Sequence, residues 1–417
     1  MLGQYRSTSS DLSHAHRDLS QATKLIDQQG DDRHDVSRRT LRRFWLLPAL
    51  SLAAGVLTST FVHPASAAVV SLCPDGTPPL TASQVITTPH GSKQYSYKAP
   101  PGAAFTDIVP SPSFNPATAS ADELAENNFA PRPASASALQ DWTDQAEAYQ
   151  GAYQVAPEWC FGNADSHNTG AANLAGSPTS FGVVQPESVS HIVSTFWSGY
   201  RDSAGGYQKV ATHFSQPTVN NTTNAAMNSW VGLTGSGPKS VLIQAGTWND
   251  VSDAAHGWPV WELYCPSSAG LSGCTAPAFN KSVIASGGQD VAMVTSYNPA
   301  TRLTYYQVAL AGKLAINVQY SLPSGANTGT DALFITKRVT GPPVRNIPAF
   351  TTMTWTSPRM YTVWNGQTPV SYLNQAVSPI VMNKSNSFSA TCGTASTLMY
   401  PVGSSATSFY QQFCRAG

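Results

Sequence analysis

Thr304-Tyr305-Tyr306-Gln307-Val308-Ala309-Leu310, followed by Leu314-Ala315-Ile316-Asn317-Val318-Gln319-Tyr320, decides the fold class. Both runs are rich in β-branched and aromatic side chains and repeat with a period of two, which is the pattern of strands. Working outward, Ser240-Val241-Leu242-Ile243-Gln244, Phe350-Thr351-Thr352-Met353-Thr354-Trp355 and Ile380-Val381-Met382 repeat the pattern. Gly235 to Pro238, Gly287-Gly288, Asn298-Pro299, Gly341 to Pro343 and Asn365-Gly366 punctuate them as turns. After His191 no helical period of useful length intervenes, so the chain is expected to be all-β, an antiparallel sandwich of two packed sheets.

Upstream the composition changes. Residues 68 to 186 are rich in Pro, Ala, Ser and Asn, and only Ser120 to Gly151 reads as helical. Asp122-Glu123-Leu124-Ala125-Glu126 and Ala138-Leu139-Gln140-Asp141-Trp142 are short amphipathic patterns separated by Pro131 and Pro133. An irregular, partly helical leader, prosegment or strap is expected there, with a disordered linker as the alternative. Further upstream, Ser37-Arg38-Arg39-Thr40-Leu41-Arg42-Arg43 runs into the apolar stretch Phe44 to Val62 and the small residues Ala65-Ser66-Ala67. That order predicts a removable signal peptide, with the twin-arginine route as one candidate. The expected organisation is a signal peptide over 1–67, a leader-like region over 68–187 and a sandwich over 188–417. The expected location is extracellular, with no membrane association after signal removal.

Residues 1–67 carry eight of the 23 basic and six of the 23 acidic residues, which leaves 15 and 17 in the exported part, a net charge near −2. A nearly neutral chain without a basic cluster has no electrostatic footprint for nucleic acid. All six cysteines, Cys73, Cys160, Cys265, Cys274, Cys392 and Cys414, lie in the exported part. An even count outside the cell reads as disulfides, and proximity pairs Cys265 with Cys274, Cys392 with Cys414 and Cys73 with Cys160, although fifteen connectivities are open. No Cys-x-x-Cys, His-Glu-x-x-His, Gly-x-Ser-x-Gly or phosphate-binding glycine loop occurs, so no metal or other cofactor is expected. His213 and His256 stand alone and read as packed or surface histidines.

What remains is polar side chains on apolar strands. Gln244 interrupts Leu242-Ile243-Gln244-Ala245-Gly246, and Glu262 sits within Trp258-Pro259-Val260-Trp261-Glu262-Leu263-Tyr264. A carboxyl in such surroundings should have a raised pKa, which suits acid–base work below neutrality, while a buried structural pair is the plainer alternative.

These motifs, together with Trp197-Ser198-Gly199-Tyr200, Val210-Ala211-Thr212-His213-Phe214, Trp230-Val231-Gly232-Leu233-Thr234-Gly235, Ile335 to Arg338 and Ile347 to Trp355, resemble the glutamic peptidases, or eqolisins, over about residues 190 to 412. Upstream, Phe114-Asn115-Pro116 through Ala130-Pro131-Arg132-Pro133 looks like the leader that precedes this domain in similar bacterial proteins. The resemblance implies a lectin-like, concanavalin A-like sandwich of two seven-stranded sheets. It implies an acid endopeptidase in which a glutamate activates water and then protonates the leaving amine, while a glutamine stabilises the oxyanion. Carried over by motif, the glutamine is Gln244. Trp197, Trp230, Glu262 and Tyr264 line the cleft, and Phe334 falls beside the catalytic position. The glutamate does not carry over, because the family segment Ala-Glu-Trp/Phe-Ile-Val reads Ala332-Leu333-Phe334-Ile335-Thr336, with Leu333 in place of the acid. An upstream aspartate is likewise replaced, by Trp258. Asp331 shares a strand face with Leu333 but is displaced by about 6–7 Å.

Three functions stay open: an acid peptidase that uses Gln244 and Glu262, a non-catalytic relative that binds extracellular peptide or glycan, and a structural envelope protein. The polypeptide or glycan partner is not specified further by the sequence.

Overall fold

The computed structural model describes residues 72–73, 76–99, 103–151, 156–161, 192–194, 196–203, 205–220, 224–250, 256–265, 270–271, 274, 277–339, 345–350, 352–366, 377–383, 392, 397–405 and 408–414. The expected signal peptide and the boundary near residue 187 lie outside the described residues.

Two sheets are packed face to face. The first runs β4 (Trp159–Phe161), β12 (Ala278–Asn280), β11 (His256–Tyr264), β10 (Leu242–Asp250), β9 (Ala226–Thr234), β16 (Asp331–Arg338), β6 (Trp197–Asp202) and β19 (Val377–Asn383). β5 (Ile192–Ser194) lies parallel to β19, whereas its neighbours pair antiparallel. The second runs β21 (Ser408–Phe413), β18 (Thr352–Tyr361), β7 (Lys209–Ser215), β13 (Asp290–Asn298), β14 (Leu303–Leu310), β15 (Lys313–Ser321), β3 (Ala103–Val109), β2 (Lys93–Ala99) and β1 (Gln84–Thr87). β20 (Thr397–Ser405) pairs with both β19 and β21 and so joins the sheets along one side. A separate two-stranded ribbon pairs β8 (Val219–Asn220) with β17 (Ala349–Phe350).

Alternation explains the core. Val231, Leu233, Ile243, Trp261 and Phe334 from the first sheet meet Val210, Phe214, Met293, Tyr306, Val318 and Trp355 from the second in one buried cluster. Trp355 lies between Phe214 and Phe409, with ring centroids 5.2 and 5.4 Å away. Each such side chain contributes about 1.5–3 kcal/mol by leaving water. The all-β sandwich is therefore as expected.

The N-terminal segment holds two helices near the expected places, α1 (Ala121–Glu126) and α2 (Ala136–Glu147). Ser120 caps α1 by accepting from the Glu123 N–H at 3.2 Å. The sequence reading missed its strands: β3 pairs with β15 and extends the second sheet through β2 and β1, and β4 pairs with β12 at the edge of the first. Phe105 and Trp159 reach Trp261 at centroid distances of 5.1 and 6.3 Å, so this segment contributes to the main core.

Cys73–Cys160, Cys265–Cys274 and Cys392–Cys414 are disulfides, the pairing that proximity favours. Three disulfides are compatible with an extracellular protein. No helix among the described residues is long and apolar enough to cross a membrane.

Candidate active site

Strand register builds the site on the outer face of the first sheet. Glu262 pairs with Gln244, Gln244 with Gly232, Gly232 with Leu333, and Leu333 with Arg201, so these five form one row across β11, β10, β9, β16 and β6. In an antiparallel sheet such partners project from the same face. The row on one side reads Tyr264, Leu242, Thr234 and Asp331. On the other side lie Val260, Gly246, Trp230, Ile335 and Gly199, and beyond them Trp258, Trp248, Asn228, Lys337 and Trp197. Trp197, Trp230, Tyr264, Leu333, Trp248 and Trp258 form an apolar cluster separate from the main core. The register thus brings the sequence-predicted Gln244, Glu262, Trp197, Trp230, Tyr264 and Leu333 onto one face.

Phe334 is the exception. It packs in the core between the sheets, opposite to Leu333, because consecutive residues of a strand project to opposite faces. A period of two already excluded placing both in one cleft.

The Gln244 amide donates from Nε2 to Glu262 Oε2 at 2.5 Å, with both residues at most 1% exposed. Burial raises the Glu262 pKa, and the Lys337 charge and the Gln244 amide only partly offset it. Burial also lowers the Lys337 pKa against the pull of Glu262. The Lys337 ammonium lies 5.6 Å from the centroid of the Trp197 ring. Several buried polar atoms on this face have no hydrogen-bond partner in the protein: Gln244 Oε1, both amide atoms of Asn228, and the indole nitrogens of Trp197 and Trp230. Leaving such an atom unsatisfied costs about 1–3 kcal/mol, and these five lie together on one face of the sheet.

Gly232 separates Leu333 from Gln244. A Cβ there would come within 2.8 Å of the Ile243 carbonyl oxygen and 3.1 Å of the Gln244 Cβ. With no side chain at Gly232, Leu333 and Gln244 face each other across two strand spacings, about 9.6 Å. Two five-atom side chains, each reaching about 3.5 Å beyond Cβ, would close that gap to hydrogen-bonding or water-bridging range. Leucine brings only methyl groups to this position.

Asp331 is held in an ion pair with Arg201. Arg201 donates to its Oδ2 from Nε at 2.8 Å and from Nη2 at 2.5 Å, and it sits one row away beside Thr234. Burial raises its pKa and Arg201 counters this. Trp258 stacks on Phe279, with ring centroids 5.2 Å apart. His213 contacts exposed Asp290 through Nδ1 at 3.1 Å on the other sheet, away from this face. The His256 side chain lies outside the described residues. Among the described residues no group of three or more His, Cys, Asp or Glu side chains could hold a metal ion.

No family model and no curated protein matches the chain. Among solved structures, scytalido-glutamic peptidase with a transition-state analog inhibitor is similar at 14% identity and TM-score 0.41, covering 52% of this chain and 98% of that one. SCP-B, a member of the eqolisin family of peptidases in complex with the tripeptide Ala-Ile-His, is similar at 12% identity and TM-score 0.36, with the same coverage. Tailspike protein 2 of Escherichia coli O157:H7 bacteriophage CAB120 is similar at 14% identity and TM-score 0.23, covering 39% of this chain and 21% of that one. At such identities and TM-scores the likeness assigns the chain neither a family nor an activity.

Proposed function

We propose that the outer face of the first sheet is a polypeptide-binding cleft of the glutamic-peptidase type whose hydrolytic machinery is incomplete. The observation that supports this reading is the row Glu262, Gln244, Gly232, Leu333: the amide faces the position of a second carboxyl, and that position holds leucine. Peptide hydrolysis by this arrangement needs a carboxylate to take a proton from water and return it to the leaving amine. Leucine does neither. Glu262 is the remaining carboxyl of the row, but Gln244 occupies one of its oxygens and burial keeps it protonated to higher pH, so at acid pH it already holds the proton a base would have to accept. The unpaired Gln244 oxygen, Asn228 amide and two indole N–H groups supply both the donors and the acceptors that a peptide backbone needs. Since these side chains are buried, binding requires the protein to open over them, and the apparent affinity falls by the fraction of open molecules.

A glycan is the second reading, favoured by Trp197 and Trp230, whose rings could stack on sugar faces. Incubating the secreted protein with a denatured protein substrate from about pH 2 to 5, where carboxyl groups titrate, separates enzyme from binder. The reading expects no cleavage, with peptides rather than oligosaccharides quenching tryptophan fluorescence. Robust cleavage that disappears in Glu262→Gln would overturn it and make Glu262 the acid–base.

A further inference from the structure

A second site lies on the other sheet, on the face turned away from the core. Ala211, Ala292, Val294, Ala309 and Leu314 make this face a small-residue apolar floor, and Tyr149 and Tyr361 stand on it. Between this floor and α2 is a cavity of about 30 Å³, lined among others by Trp142, Tyr149, Lys209, Ser296, Gln307 and Trp364. A water needs roughly 10–15 Å³ of such space, so the cavity encloses a group of two or three heavy atoms but not a sugar ring.

Two of the lining groups call for a ligand. Lys209 is only 5% exposed, and its ammonium has one carbonyl partner, Gly366 O at 3.3 Å, and the face of Tyr361 at 4.3 Å. The nearby carboxylates are committed elsewhere. Asp141 pairs with Arg359 and accepts from the Tyr361 hydroxyl at 2.6 Å and from Gln145 at 3.1 Å, and Asp144 accepts from Arg359 at 2.9 Å. Independently, Tyr149 is 2% exposed, and its hydroxyl lies buried without a hydrogen-bond partner in the protein. A buried lysine and a buried tyrosine with an unpaired hydroxyl therefore line one small cavity. Its rim is aromatic: Trp364 stacks on Tyr305 at 5.2 Å, and the Trp142 ring nitrogen is occupied by Ala130 O at 2.9 Å.

We propose that this cavity binds the carboxylate head of a small organic acid, with Lys209 and Tyr149 as its donors and the Trp142 and Trp364 rings around a short alkyl tail. A neutral hydroxyl would satisfy Tyr149 but leave the ammonium without an anion, so it fits less well. The Lys209 pKa is lowered to about 8, first by burial, with Arg359 adding to the effect and Asp141 opposing it. An anion in the cavity would raise it.

Butyrate is a suitable probe, with sodium chloride at equal ionic strength as the control. The expected result at pH 6 is a saturable rise in the melting temperature of the wild-type chain with butyrate alone, absent in Lys209→Met. About tenfold weaker binding is expected in Tyr149→Phe, the loss of one charge-assisted hydrogen bond. In wild-type protein labelled with ¹³C at lysine Cε, the Lys209 titration should move to higher pH with butyrate, a readout that does not depend on any variant folding. A saturable rise of equal size in a folded Lys209→Met, or a Lys209 titration unmoved by saturating butyrate, would overturn the proposal.

Discussion

Asp107→Asn should flatten the dependence of folding stability on pH between 4 and 8 by the contribution of one buried carboxyl. Asp107 projects from β3 into the interior at 2% exposure, where it accepts from Trp159 Nε1 at 3.2 Å and the Asn317 N–H at 3.3 Å. Those donors favour the carboxylate, yet burial outweighs them and pushes the pKa from 3.8 to about 7. The folded state thus holds a proton that the unfolded chain releases near pH 4. Stability from this group is fully present below pH 3.8 and is lost as pH rises through about 7. The shift of roughly three units corresponds to about 4 kcal/mol. Urea unfolding followed by tryptophan fluorescence at several pH values between 4 and 8 reads this as a midpoint that falls with pH more steeply in the wild type than in Asp107→Asn. Glu262 and Asp331 have raised pKa values of the same sign and titrate in both proteins, so the difference between the two curves isolates Asp107. Parallel curves would refute the claim that burial dominates at Asp107.

Further outcomes follow from the same geometry. The double change Cys73→Ser and Cys160→Ser opens a loop of 87 residues that ties the N-terminal segment to the first sheet, and it should cost about 4–5 kcal/mol by chain entropy, measured by urea unfolding. Gly232→Ala places a Cβ 2.8 Å from the Ile243 carbonyl oxygen and should destabilise by about 1–3 kcal/mol, seen as a lowered melting temperature. A fully stable Gly232→Ala protein would mean that β9 and β10 can separate locally.

Much of the fold was legible because alternation and cysteine spacing are local signals. β14, β15 and the inward face of β18 follow directly from their period of two, and two of the disulfides join near neighbours, which leaves Cys73 and Cys160 for the third. β2 and β3 were not legible. Lys93–Ala99 is polar and partly exposed, and its strand character comes from pairing with β3, which itself depends on the distant β15. At the site, Gln244 and Glu262 stood out as polar residues on apolar strands, but their contact depends on the register of β10 with β11. Arg201 taking Asp331 was invisible for the same reason: the two residues are 130 positions apart and meet through β6 and β16. The Lys209 cavity left no sequence signal, since Lys209 opens a strand and Tyr149 follows a helix.

The central claim is that Leu333 occupies the place of an acid facing Gln244. Leu333→Glu tests it, with thermal melting to confirm folding, because burying a carboxyl can cost a few kcal/mol. The account predicts that the folded variant cleaves denatured protein between about pH 2 and 5 at least 10²-fold faster than the wild type, the usual worth of a placed acid–base, and that adding Gln244→Ala abolishes the gain. A folded Leu333→Glu protein no more active than the wild type across that range would contradict it.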